Sequence, residues 1–316
     1  MPQSQKDSSK DDREPLGNFL IWTPEIDALA EHVARCIRLG LPGIAVTGKP
    51  RVGKTNACKY LKHLIPQVMG HNVCVLNWEI PESLASEREQ IQCALQNMQC
   101  AQFSHRDIAI LRSRLMDEIY TAAGVANSRR LLFIIDEAQN LKLDFFGLLV
   151  HVYNMLDYNH YKPFFLLVAQ PELTAIRHQL AYRSKYQVLG RFFNDMPEFC
   201  GILPEDFDAV LTSFDTPARE DDPPPACAYV PNLYEYGWRL NSLAHGYRAA
   251  LEVIRTEANI ERRVRMPMQH FRMVTIDILD RLGRGELTPE QIDTPLLVDA
   301  FKASGFHNVV LHYVDE

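Results

Sequence analysis

Gly48-Lys49-Pro50-Arg51-Val52-Gly53-Lys54-Thr55 fits the spacing G-x-x-x-x-G-K-[ST] at every constrained position. Glycines at the two ends of such a run let the backbone turn until successive N–H groups point into one concavity, which attracts phosphate oxygens. There Lys54 reaches the β- and γ-phosphates of a triphosphate, the Thr55 hydroxyl is a ligand for Mg²⁺, and the whole run through Asn56 is expected to contact the nucleotide. The competing reading is a plain glycine turn between a strand and a helix. Context favours the phosphate loop, because an apolar strand (Ile44–Val46) leads into the run and a helix opens at its end.

A second group of residues adds chemistry to binding. Leu132-Phe133-Ile134-Ile135 is an apolar run that delivers Asp136 to the carboxyl end of a strand, where ligands bind in open α/β sheets. Asp136 is placed to hold the Mg²⁺ shell, and Glu137 to polarise an attacking water as general base. Phosphoryl transfer to a small-molecule hydroxyl has no need of that adjacent glutamate, so the pair favours hydrolysis. Gln170 ends the next apolar strand and either contacts the γ-phosphate or its water, or simply opens a Gln-Pro turn. Arg191, Arg183 and Arg177 are candidates for an arginine that reaches a neighbouring subunit's nucleotide. Each also reads as an ordinary surface arginine, as does Arg248 near the start of a later helix.

Strands and helices must alternate to set these groups side by side. Thr23 to Gly40 reads as a helix with Pro24 in its first turn. A short strand before Gly48, a helix over 56–67, a strand within 71–80, a helix over 105–123 and a strand over 131–135 follow. Then come a helix around 145–157, a strand over 164–170, a possible fifth strand at 196–202 and a helix after it. This order predicts an α/β fold, a parallel sheet sandwiched by helices. The expected organisation is a flexible tail over 1–17, a nucleotide-binding core over 18–215, a proline-rich linker over 216–231, a helical lid over 232–283 and a C-terminal tail over 284–316.

Composition narrows the class. The chain has 316 residues, 47% of them hydrophobic and 23% charged, which suits a folded globular protein and not a disordered one. No run approaches the roughly 18 apolar residues of a membrane span, and the start of the chain lacks an apolar signal core, so a cytoplasmic protein without membrane contact is expected. Seven cysteines, odd in number and without a Cys-x-x-Cys pair, read as free thiols. The net charge is −7, so any nucleic-acid contact must come from a local basic stripe.

Together these residues resemble the AAA+ ATPases over about 19–283, a resemblance that implies a P-loop NTPase core with a small helical lid, and ATP with Mg²⁺ as cofactors. Within that superfamily, IIDEAQNL (134–141) and FFLLVAQPEL (164–173) are similar to the bacterial group that contains the transposition regulators TnsC and TniB, their relative MuB and the secretion ATPase ExeA. Leu189-Gly190-Arg191-Phe192 is similar to the family's arginine ending before the fifth strand, and Gly246-x-Arg248 to the start of its lid helix, which implies a sensor role for Arg248. Ala169 departs from the glycine often found there. The resemblance implies a compact TnsC of a CRISPR-associated transposon: an ATPase that forms rings or filaments of itself on double-stranded DNA and links a TniQ-like target selector to TnsA/TnsB-like transposase subunits.

Arg106, Arg112 and Arg114 lie where related ATPases place pore-facing elements, and they are the expected DNA contacts; such contacts to phosphate carry no base information. The wet face of an amphipathic helix is the competing reading for them. Arg262, Arg263, Arg265 and Arg272 form a second basic cluster that reads as a lid surface or subunit contact. The alternatives to the transposition reading are a nucleotide-gated signalling or scaffold switch that never touches DNA, and an ExeA-like or helicase-loader ATPase.

Overall fold

The computed structural model describes residues 19–217 and 222–315. The tail expected over 1–17, and 218–221 of the expected linker, lie outside the described residues. The described chain forms two units, one of 24–203 with 263–269 and 312–315, the other of 19–23, 204–217, 222–262 and 270–311.

The first unit alternates strands with helices. In order these are α1 (Pro24–Arg38), β1 (Gly43–Thr47), α2 (Lys54–Met69), β2 (Cys74–Glu79), α3 (Glu87–Asn97), α4 (Ile108–Val125), β3 (Arg130–Asp136), α5 (Phe145–Tyr158), β4 (Lys162–Ala169), α6 (Leu173–Tyr182) and α7 (Tyr186–Phe192). The strands are parallel in the order β1-β4-β3-β2. β3 and β4 are buried along almost their whole length, as strands covered on both faces must be, and their sequences are accordingly continuous apolar runs. At the centre Phe133 stacks on Phe165 with centroids 4.6 Å apart. Trp78 and Phe192 meet these two rings edge-on, an arrangement that aromatic quadrupoles favour.

The segment expected as a fifth strand, 196–202, makes a shorter pairing. Residues 195–199 run beside β1: the Ala45 and Thr47 N–H groups donate to the Asp195 and Pro197 carbonyls at 3.0 and 3.1 Å, and the Phe199 N–H donates to the Thr47 carbonyl at 2.7 Å. Pro197 has no N–H to give, and regular pairing reduces to a single bridge between Thr47 and Glu198. α3 has no counterpart among the expected elements. It buries only a narrow stripe, Gln90, Ile91, Ala94 and Leu95, and starts at Ser86, whose side chain accepts the Glu89 N–H at 3.3 Å.

Parallel strands bring their carboxyl ends to one edge. Thr47 lies opposite Ala169 and Glu79 opposite Asp136, and the Gly48 N–H donates to the Ala169 carbonyl at 3.1 Å. Gly48, Asp136 and Gln170 therefore leave the sheet on the same side.

The second unit is helical: α8 (Phe207–Phe214), α9 (Pro231–Glu235), α10 (Ala244–Glu257), α11 (Met268–Gly283, from its third residue onward), α12 (Thr294–Ala303) and α13 (Phe306–Val309). Tyr247 sits at its centre, 5.2 Å from the Phe271 ring and 5.4 Å from that of Phe301. Its hydroxyl shares a hydrogen bond with that of Thr275 at 3.2 Å. α12 is capped by Asp293, which accepts the Leu296 N–H at 3.0 Å. All seven cysteines are free thiols. Among the described residues no helix is long and apolar enough to cross a membrane.

Candidate active site

The loop between β1 and α2 needs its glycines for two different reasons. A Cβ on Gly48 would lie 2.4 Å from the Phe199 carbonyl oxygen, so only glycine lets the 195–199 segment close on β1. Gly53 has φ +111°, a conformation that side chains disfavour. α2 then opens at Lys54 with no side-chain cap and no acid in its first turn. Its first N–H groups, without intrahelical partners, suit an anion.

Lys54 is only 7% exposed. Its ammonium is folded back over the loop and donates to the carbonyls of Gly48 at 2.7 Å and Lys49 at 2.9 Å. Burial pushes its pKa below the usual lysine value, while the negative charges of Glu137 and Asp136 oppose that fall. A buried cation whose hydrogen bonds go to neutral carbonyls is complementary to phosphate oxygens.

Asp136 is buried still deeper, at 2% exposure. Burial raises its carboxyl pKa; hydrogen bonds from the Thr55 hydroxyl and the Glu137 N–H pull the other way, and the Glu137 and Glu79 charges add to the rise. The Glu137 N–H lies 2.9 Å from Asp136 Oδ1. A carboxylate whose charge is held against burial, with a hydroxyl beside it, fits a hard cation. Asp136 and Thr55 would hold Mg²⁺, which ordinarily completes its shell with phosphate oxygens and water. Bound there, the ion would neutralise charge developing on the phosphates.

Glu137 departs from the strand in the left-handed region, at φ 55° and ψ 38°, uncommon for a residue with a side chain. The turn that follows, Ala138–Asn140, sends Gln139 back to the carboxylate, where Gln139 Nε2 donates to Glu137 Oε2. Gln170 Nε2 lies 3.5 Å from the same oxygen, and the Gln170 N–H donates to Gln139 Oε1 at 3.0 Å. Lys54, Thr55, Asp136, Glu137 and Gln170 thus converge at one end of the sheet. Gln139 joins them, a residue that sequence reasoning passed over; its one signal was its place two residues after the Asp-Glu pair.

The remaining candidate arginines are held by other partners or are exposed. The Arg191 guanidinium sits 5.0 Å over the Tyr153 ring and donates to Asn154 Oδ1 at 2.8 Å, so it is held against α5. Arg177 on α6 and Arg183 at its C-cap are exposed. Arg248, in the helical unit, pairs with Asp208. Arg112 Nε donates to Glu87 Oε1 at 2.8 Å, and Arg114 donates to the Gln102 carbonyl at 3.1 Å. The Arg106 carbonyl accepts from Arg88 at 2.7 Å while the Arg106 side chain is exposed. The turn between α3 and α4 is therefore braced by Arg88 and Arg114, and Arg106 projects from it.

The end of the chain returns to the phosphate loop, which no local pattern announced. The Tyr313 hydroxyl donates to the Pro50 carbonyl at 2.9 Å. Arg265 pairs with Glu25 at 2.9 Å and with Asp315 at 2.7 Å. A small cavity beside the loop is lined by Lys49, Val52, Cys200, Arg265 and Tyr313.

Residues 42–176 match the AAA domain family. No curated protein matches the chain. Among solved structures the chain is similar to the Aeropyrum pernix ORC2 protein in its ADPNP–ADP complexes, with 16% identity over 93% of this chain and 72% of that one and a TM-score of 0.59. It is also similar to Drosophila ORC bound to DNA, with 12% identity over 93% of this chain and 70% of that one and a TM-score of 0.52. At such identities these are likenesses of fold. The fold is that of a P-loop NTPase, and the chain is an ATPase.

Two substitutions separate binding from chemistry. Lys54→Ala is expected to weaken ATP binding about 100-fold in a calorimetric titration, the loss of one or two charge-assisted hydrogen bonds. Glu137→Gln is expected to keep wild-type ATP affinity while turnover falls roughly 10²- to 10⁴-fold, the usual contribution of a general base. Wild-type turnover in that variant would remove Glu137 from the role.

Proposed function

We propose that this chain is an ATP-dependent regulator of DNA transposition. In this reading it binds ATP with Mg²⁺ in the cytoplasm, assembles with copies of itself on double-stranded DNA, and links a TniQ-like selector to TnsA/TnsB-like transposase subunits. The observation that carries the reading is the convergence of Lys54, Thr55, Asp136, Glu137 and Gln170. A site with both phosphate-binding and water-activating groups supports assembly that nucleotide starts and hydrolysis ends. The step to transposition rests on the sequences around that site, IIDEAQNL and FFLLVAQPEL. The step to DNA is supported by the Drosophila complex of similar fold, which is bound to DNA, and by the braced turn that presents Arg106.

Arg114 then shapes that turn and Arg112 is held by Glu87, with Arg106 the residue on the phosphate backbone. For the arginine completing a neighbour's site, exposure favours Arg183 and Arg177, since Arg191 is engaged with Tyr153 and Asn154 of its own chain. The net charge of −7 favours a second reading, a nucleotide-gated switch that never contacts DNA.

Electron microscopy of the purified chain, with and without duplex DNA and a non-hydrolysable ATP analogue, separates the two. Rings or filaments that need both ligands are expected; assemblies indifferent to DNA would favour the switch. Arg183→Ala is expected to retain ATP binding and lose on the order of 10³-fold in DNA-stimulated hydrolysis, measured by phosphate release. Unchanged release would return the role to Arg191 or Arg177.

A further inference from the structure

We infer that Gln139 is a positioning residue for hydrolysis, its amide tying the Glu137 carboxylate to the backbone at the end of β4. This rests on the reading of Glu137 as general base and deepens it.

The amide has one donor end and one acceptor end, and its partners accept only one orientation. A carboxylate can only accept and a backbone N–H can only donate. Gln139 therefore presents Nε2 to Glu137 Oε2 and Oε1 to the Gln170 N–H, the latter at 3.0 Å. The turn that carries it is fixed at both ends. Ala138 is buried in the core, and Asn140 donates from Nδ2 to the Ile80 carbonyl at 2.9 Å. Gln139 is thus held beneath a carboxylate that the left-handed backbone of Glu137 turns out of the strand line.

The consequence is a division of labour between the two carboxylate oxygens. Oε2 is engaged by the amide, which leaves Oε1 to take a proton from water. As that O–H bond breaks, the water oxygen bonds to the γ-phosphorus and the bond to the β–γ bridging oxygen breaks, giving ADP and phosphate. The same amide links the base to Gln170, the residue from which the chain enters α6, the helix that bears Arg177 and ends at Arg183. A shift at the start of α6 reaches the base through a single side chain.

The test measures kcat and KM for ATP, with the number of sites that bind nucleotide counted by titration, using the full chain with duplex DNA present. Q139E keeps the size and the acceptor for the Gln170 N–H but sets a second carboxylate beside Glu137. Like charges repel, so the Glu137 carboxylate loses its place and kcat is expected to fall about tenfold, at the lower edge of general-base effects, with KM within about twofold. Q139L removes both ends of the link, and kcat is expected to fall about tenfold, at the lower edge of general-base effects, at nearly constant KM. A purely structural role would lower the number of nucleotide-binding sites and leave kcat per site unchanged. Should Q139L fail to fold, the nearly isosteric Q139E still decides the matter. Wild-type kcat in Q139E overturns the inference. Glu137→Gln run alongside separates the two levels: wild-type turnover there removes the base itself, whereas a slow Glu137→Gln beside wild-type Gln139 variants removes only the link.

Discussion

Two opposite charges held out of water at one edge of the sheet govern this molecule. Burial disfavours the ammonium of Lys54 and the carboxylate of Asp136 alike, and the effective cost of burying an ion is several kcal/mol. Asp136 has its folded-state pKa above its unfolded value. Its contribution to stability is therefore present below the ordinary carboxylate range and is lost as pH rises through the raised value. Lys54 is the mirror case, its contribution present above the usual lysine value and lost as pH falls through the lowered one. At neutral pH both groups work against the fold, and a magnesium triphosphate would relieve both at once. Any ligand that does so stabilises the native state by mass action.

The neighbouring architecture serves that arrangement. The 195–199 segment can lie on β1 only because Gly48 has no Cβ to meet the Phe199 carbonyl. The same closure shapes the loop over which Lys54 folds. On the loop's outer side Tyr313 holds the Pro50 carbonyl, and Arg265 ties Asp315 to Glu25 of α1. The two acids part at the end of β3: Asp136, its last residue, faces Thr55, while Glu137 turns away into the reach of Gln139 and Gln170.

Much of this was legible in the residues, and the reason is local. Apolar runs of five to eight residues ending in Gly48, Asp136 or Gln170 can only be buried strands whose polar ends share an edge. What stayed hidden depends on contacts far apart in the chain. Arg191 gave no sign that Tyr153 and Asn154 would capture it, nor Arg112 that Glu87 would. α3 escaped because its apolar stripe is narrow and its sequence, EREQIQCALQN, is otherwise polar. Gln139 was passed over because a glutamine in a turn is usually solvated; its importance comes from a left-handed residue two positions earlier, which no periodicity reports. The pairing of the fifth segment with β1 shrank to one bridge because Pro197 stands where a donor was needed.

The most direct test of a magnesium-triphosphate site built on Lys54 and Asp136 is calorimetric titration of the unsubstituted chain with ATP, with Mg²⁺ and with EDTA. Saturable binding that tightens at least about tenfold with Mg²⁺, equivalent to 1.4 kcal/mol, is the expected result. Binding indifferent to the metal, or no binding of ATP at all, would contradict it.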